Sequence, residues 1–382
     1  EPVSFYEAPT RKELWNLLDQ TCSENCDYVV IPHNSNLSNG YMFEEPDQDE
    51  MLIQSTKEPL VEIFQHKGSS ECNIDPNDPL CNFEQLPYKD FRSKFQNDLS
   101  PSPDSSFVRE ALGNGLLFQE KQSINPLKFG IIASTDTHLG TPGAVDESSF
   151  QGHGGAGKSF RSSIPEGLPD DIEFNPGGLA VAWAEENSRS AIFDAFQRKE
   201  VYGTSGPRFI VRFFVGDNLD QNLCSNPDNI SYAYANATPM GGTIASDSLS
   251  QPSIFISASA DSSIKDQFIE KLQVVKGVVR NGELLTTVHD VGVTDAQSKL
   301  DISNCEVTGS GEKAMCSVWN DPNFNSSENA YYYVRVVANK SCRWSHNLCL
   351  QNPEYCEADS DASIPKVIQE RAWTSPVWLE KT

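Results

Sequence analysis

The chain of 382 residues is poor in positive charge. Its 29 lysines and arginines stand against 54 aspartates and glutamates, a formal charge of −25. Such a surface repels phosphate backbones instead of releasing their counterions, which argues against nucleic acid as a partner. No apolar run approaches the roughly 20 residues that a membrane-spanning helix needs, so no membrane span is expected. The opening EPVSFYEAPTRKELW has neither the basic start nor the apolar core of a secretory leader. No G-x-S-x-G elbow occurs, which disfavours serine-based hydrolysis. Histidine is scarce, six residues in all, so the positions of those six carry weight.

Cysteine, by contrast, is plentiful, with ten in the chain. Cys22/Cys26, Cys72/Cys81 and Cys305/Cys316 are close in sequence, Cys342, Cys349 and Cys356 cluster, and Cys224 stands alone. Close pairs in loops rich in Pro, Asn and Asp suit short disulfide staples, and an even count leaves no obligate orphan. A zinc cluster of Cys342, His346, Cys349 and Cys356 is the alternative, although no paired C-x-x-C framework supports it. Sequons at Asn36, Asn229, Asn236, Asn325 and Asn339 are acceptors for glycans in a eukaryotic secretory pathway. These features together predict an exported protein, extracellular or periplasmic, whose leader has been removed or left out.

The first half predicts a mixed α/β unit. DYVVIPHN, Leu60–Phe64 and Phe129–Ala133 read as short strands. SSFVREALGNGLLFQEK has helical periodicity, with Ser106 as its expected N-cap. GGLAVAWAEEN and SRSAIFDAFQRKE add a strand and an amphipathic helix, an order that suggests parallel architecture. After YGTSGPRF the pattern changes to short strand-like runs with turn-rich separators, the mark of an antiparallel, sandwich-like β domain over about 208–382.

Each of the three early strands runs into a histidine: His33, His66 and His138. In parallel α/β folds catalytic groups sit where strands give way to loops at their C-terminal ends. The two-residue period of a strand puts Asp136 and His138 on one face if the extended backbone persists. Carboxylate and imidazole together suit zinc, manganese or iron. Taken singly, a histidine after a proline is ordinarily a loop residue, and Glu62 is a polar group inside a strand. The repetition is what points to a metal site.

GHGGAGKS, residues 152–159, matches the P-loop spacing but lacks the strand before it and the helix after it, with Pro165 and Pro169 close behind. A lid beside the site, carrying His153, is the better reading.

DYVVIPHNSN, VEIFQHKGSSE, SFVREALGNGLLFQEK, KFGIIASTDTHLGTPGAVDE, GLAVAWAEENSRSAIFDAFQRKEVYGTSGPR, LQVVKG and CRWS…RAWTSPVW, in that order, resemble the domain of unknown function 3604 family. That family is similar to the PHP (polymerase and histidinol phosphatase) superfamily of metal-dependent phosphoesterases. The resemblance implies a partial, distorted PHP-like (β/α) barrel over 1–207, followed by a β-rich domain over 208–382. It implies two or three divalent transition metals (Zn, Mn or Fe) held by His33, Asp136 and His138, with Glu62 and His66 falling in the Val-Glu-Ile segment and Glu62 as a further candidate ligand. His66 or His153 would protonate the leaving oxygen, and Arg208 would face a small anionic substrate. The implied activity is phosphate-ester hydrolysis. Sulfate-ester or amide hydrolysis and a non-catalytic exported binding protein are the alternatives. The His-x-His strand that opens PHP enzymes is absent. The expectation is therefore a C-terminal portion whose N-terminal segment is missing or associates as a separate chain.

Overall fold

The computed structural model describes residues 3–4, 6–22, 26–85, 103–138, 140, 142–150, 174–294, 298–351 and 364–381. Among them are six α-helices: α1 (Arg11–Thr21), α2 (Gln48–Lys57), α3 (Val108–Gln122), α4 (Arg189–Gln197), α5 (Asn229–Asn236) and α6 (Trp344–Gln351). Strands outnumber helices, and the fold is mixed α/β.

The small sheet that carries the site has the order β2 (Gly68–Ser69), β1 (Leu60–Gln65), β3 (Gly130–Ala133). β1 and β3 are parallel, and α3 lies between them in the chain, so β1–α3–β3 is a βαβ unit. No closed barrel forms among the described residues.

DYVVIPHN runs beside β1 without becoming a strand. Val30 N–H donates to Lys57 O and Glu62 N–H donates to Pro32 O, but Pro32 has no N–H with which to continue a ladder. The expected N-cap of α3 also shifts. Ser106 falls in a 3₁₀ turn, Asp104–Ser106, and Phe107 caps without a side-chain bond. The first helical N–H groups, of Val108 and Arg109, are instead satisfied by the carbonyls of Ser70 and Glu71. That pins α3 to the segment leaving β2.

The large sheet has the order β11 (Glu283–Val293), β10 (Ile269–Arg280), β15 (Ala330–Cys342), β16 (Val367–Thr374), β5 (Val201–Thr204), β4 (Leu179–Ala182). β17 (Val377–Glu380) pairs with both β15 and β8 (Thr243–Ala245). A four-stranded sheet, β14 (Ala314–Asn320), β9 (Pro252–Ser259), β6 (Ile210–Asp217), β7 (Ala237–Pro239), and a ribbon of β12 (Lys299–Asp301) with β13 (Glu306–Thr308) complete it.

β4 is antiparallel to β5, contrary to the parallel order expected from the sequence. β5 extends the C-terminal antiparallel sheet through β16, and the chain reverses through α4 to pair beside it.

Both faces of the large sheet are covered. Along β15, Tyr332, Val334 and Val336 pack with Phe213 and Ile256 of the four-stranded sheet. The alternate residues Tyr331 and Tyr333 pack with Val61, Leu112, Ile131 and Trp373 on the βαβ side. A strand with two buried faces loses the apolar–polar alternation, and the first ten residues of β15 are all buried.

Four disulfides are described: Cys22–Cys26, Cys72–Cys81, Cys224–Cys316 and Cys305–Cys342. The Cys305/Cys316 pairing suggested by proximity in sequence is overturned. β14 turns Cys316 into the small cluster around Leu219 and Leu223, where Cys224 lies. Cys305 meets the end of β15 instead. Cys349 is also disulfide-bonded, so the zinc alternative loses its thiolates, and Cys356 lies outside the described residues. The disulfides are compatible with an exported protein. No helix among the described residues is long and apolar enough to cross a membrane. The sequon Asn339 is buried, and its Nδ2 donates to Asp266 O at 3.1 Å, which withdraws it from a glycan in the folded state.

Candidate functional site

Three chain segments end together beside the small sheet. The extended segment leaving Pro32 turns at Asn34, whose φ is +58°, β1 ends at Gln65, and β3 runs on to Asp136, with φ +52°. Asn and Asp tolerate this left-handed backbone better than other non-glycine residues. The Gln65 side chain ties the three ends together. Its Nε2 donates to Asn34 Oδ1 and, at 3.0 Å, to Asp136 Oδ2, while its Oε1 accepts from Lys67 N–H at 2.8 Å. From above, Gly178 N–H donates to Ser134 O at 2.7 Å, and a Cβ on Gly177 would lie 2.7 Å from Thr135 Cα. Only glycine allows this approach, so the Gly177–Gly178 pair closes the β3 end.

His66 is the most enclosed of the candidate histidines, with its side chain 3% exposed. Its ring stacks on Phe174 at 5.0 Å and lies 6.0 Å from the His138 ring. His66 Nε2 is 3.3 Å from Asp136 Oδ2 and 2.7 Å from Lys67 Nζ, and Lys67 Nζ is ion-paired to Asp136. An ammonium has only protons to give, so Nε2 accepts and the ring proton sits on Nδ1. Burial raises the Asp136 pKa. The Lys67 hydrogen bond and charge, aided by His66 and His138, outweigh it and hold the carboxyl below its ordinary value.

Glu62 lies inside β1 and is buried. Ser134 Oγ donates to Oε1, while Oε2 is buried and makes no hydrogen bond among the described residues. Burial pushes its pKa up, against Ser134 and the charge of His33, and Asp136 pushes it further. His33 and His138 are exposed at the rim.

Arg208 lines a separate cavity of about 540 Å³ together with Asp146, Glu147, Asp261 and Glu370. None of His33, Glu62, His66, Asp136 and His138 lines that cavity, so Arg208 is not brought to them. His153 and the P-loop-like stretch lie outside the described residues.

Sequence reasoning missed Asn34, Gln65 and Lys67. A signal was present in QHKG: a lysine next to the strand-end histidine, in the segment already singled out.

Two groups of three potential ligand atoms lie within 4.8 Å of one another among the described residues: Cys305–Cys342–His346 and Cys72–Asp78–Cys81. Both contain disulfide sulfurs, which have no thiolate to give. The atoms of Glu62, His66, Asp136 and His138 are spread more widely than that. Their chemistry nonetheless fits a borderline divalent cation. The set is nitrogen and carboxylate oxygen, and the buried, unbonded Glu62 Oε2 is an acceptor that a cation would satisfy.

No curated protein and no solved structure matches the chain. Residues 1–381 match one family along essentially their whole length. The chain is thus a member of the family described as Protein of unknown function (DUF3604).

Proposed function

We propose that this chain is a metal-dependent hydrolase of small anionic esters, with phosphate esters as the first class. The observation that carries this reading is the convergence of Glu62, His66 and Asp136 at neighbouring strand ends, with one buried Glu62 oxygen left without a hydrogen bond among the described residues. Resemblance to the PHP phosphoesterases supports the substrate class, and the β1–α3–β3 unit would be part of such a barrel.

Glu62, Asp136, His33 and His138 would hold one or more divalent transition ions (Zn, Mn or Fe). The ion would supply Lewis-acid polarisation of the ester and a water acidic enough to attack near neutral pH. Gln65 orients the Asp136 carboxylate through its hydrogen bond. His66, its ring fixed by Phe174, is placed to hold or pass a proton at Nε2 towards the leaving oxygen. Arg208, at its separate cavity, takes no part.

A second reading, an exported binding protein without catalysis, is favoured by the Lys67 ammonium, which already compensates Asp136.

The test is turnover of a panel of phosphomonoesters and diesters by protein stripped with chelator and reloaded with Mn²⁺, Zn²⁺ or Fe²⁺. Metal-dependent turnover is expected, lowered about a hundredfold or more by Asp136→Asn. Stoichiometric metal without phosphate-ester turnover would move the substrate to sulfate esters or amides. Failure to bind metal, or equal turnover in wild type, Asp136→Asn and the His33→Ala/His138→Ala double variant, overturns the metal mechanism.

A further inference from the structure

Lys67 is held in a way unusual for a lysine beside a loop. Its side chain is 18% exposed, although lysine ordinarily keeps its ammonium in water. Its backbone is fastened on both sides: N–H donates to Gln65 Oε1 at 2.8 Å, and O accepts from Asn36 Nδ2 at 3.0 Å. The next residue, Gly68, has φ +92°, which turns the chain back into β2. The ammonium thereby reaches two acceptors at once, Asp136 Oδ2 and His66 Nε2, which are themselves only 3.3 Å apart. Asp136 Oδ2 is an atom that a borderline metal would use, and a lone pair engaged by an N–H is not available to a metal.

We propose that Lys67 is a tethered cation occupying the metal position, so that metal loading is an exchange in which a divalent ion displaces the Lys67 ammonium from Asp136 and thereby releases His66 Nε2 for its proton. This inference rests on the metal reading above. It accounts for two features that otherwise conflict: a donor set suited to a cation, and donor atoms spread too widely to grip one. The ammonium compensates one carboxylate and leaves Glu62 Oε2 unserved, as a single charge on a four-carbon arm must. A divalent ion at the same place carries twice the charge and accepts more ligands, which is the driving force for the exchange. The wild-type protein consequently binds metal more weakly than its donor set would allow.

The experiment is calorimetric titration of Mn²⁺ and Zn²⁺ into chelator-stripped wild type, Lys67→Met and Lys67→Arg, with melting temperatures measured with and without metal. Removing the competitor should tighten metal binding about tenfold in Lys67→Met, whereas Lys67→Arg stays within about threefold of wild type. Metal should also raise the melting temperature of Lys67→Met by more than that of wild type, because the stripped variant leaves Asp136 uncompensated. If Lys67→Met does not fold, Lys67→Gln replaces it with the same expected tightening. Wild type that binds metal while the uncharged variants bind equally or more weakly overturns the exchange and leaves the metal reading standing. No binding by any of the proteins overturns both.

Discussion

Two ionic clusters, one joined to α3 through Arg109 and one at the ends of β1 and β3, are built on opposite terms. In the first, Glu71 Oε1 accepts from Arg109, Tyr333 and Arg335 at 2.7, 2.7 and 3.0 Å, and Oε2 accepts from Trp373 Nε1 at 2.7 Å. Asp78 receives a two-bond fork from Arg335 at 2.9 Å and a further contact from Arg109. Each carboxylate oxygen has a donor and the group is buried. Burial alone would raise Glu71, but Arg335, Arg109 and Arg371 hold it well below its ordinary range. In the second cluster, Asp136 has one ammonium, that of Lys67, and one amide donor, Gln65 Nε2, while Glu62 keeps an oxygen with no hydrogen bond among the described residues. A closed network holds parts of a fold together. An open one has room for something to bind.

The largest expected difference follows directly. Arg335→Met removes the guanidinium shared by two buried carboxylates and should lower unfolding stability by about 3–5 kcal/mol, whereas Asp136→Asn should cost under about 1 kcal/mol while abolishing metal uptake. Urea denaturation of both variants measures this, and equal costs would erase the distinction.

Glu370 lies between the extremes. Burial pushes it up to about 8, with Glu84 and Asp146 adding to the shift and Ser205 and Arg371 opposing it. A carboxyl raised in the folded state contributes stability below its unfolded value of 4.5, and that contribution is lost as pH rises through about 8. Glu370→Gln should therefore gain on wild type by at least about 1 kcal/mol between pH 5 and pH 8.5. A constant difference across that range would show that the buried acid carries no proton. Glu71, shifted the other way, contributes above its unfolded value of 4.5 and loses that contribution as pH falls. The smallest effect belongs to the surface: Lys381→Ala, which removes the 3.0 Å pair with Glu120, should change stability by no more than about 0.5 kcal/mol.

What was legible in the sequence was local. Leu60–Phe64 and Phe129–Ala133 were expected as strands, and Leu60–Gln65 and Gly130–Ala133 form, because β-branched runs bounded by turn residues need no distant information. The convergence of strand ends was expected from three histidines, yet the side chain that joins the ends is Gln65. The ion network was missed altogether. Residues 68–104, rich in Pro, Asn and Asp, read as a long excursion tied by Cys72/Cys81; within it Glu71 and Asp78 look like surface charges, and their guanidinium partner Arg335 lies 264 positions from Glu71. Pairing over such a distance leaves no periodic trace. The Cys224–Cys316 bridge, with a separation of 92, escaped for the same reason.

β15 has a consequence for how the chain finds its structure. A strand with one wet face can slip by a residue and still hide part of its apolar set, but here a slip exchanges two interiors. Tyr331, Tyr333 and Arg335 would swing into the sandwich, and Tyr332, Val334 and Val336 would face Glu71. The error would put a guanidinium in oil and a carboxylate against valine. The central strand thus acts as its own proofreader, with a penalty on both sides for any one-residue slip.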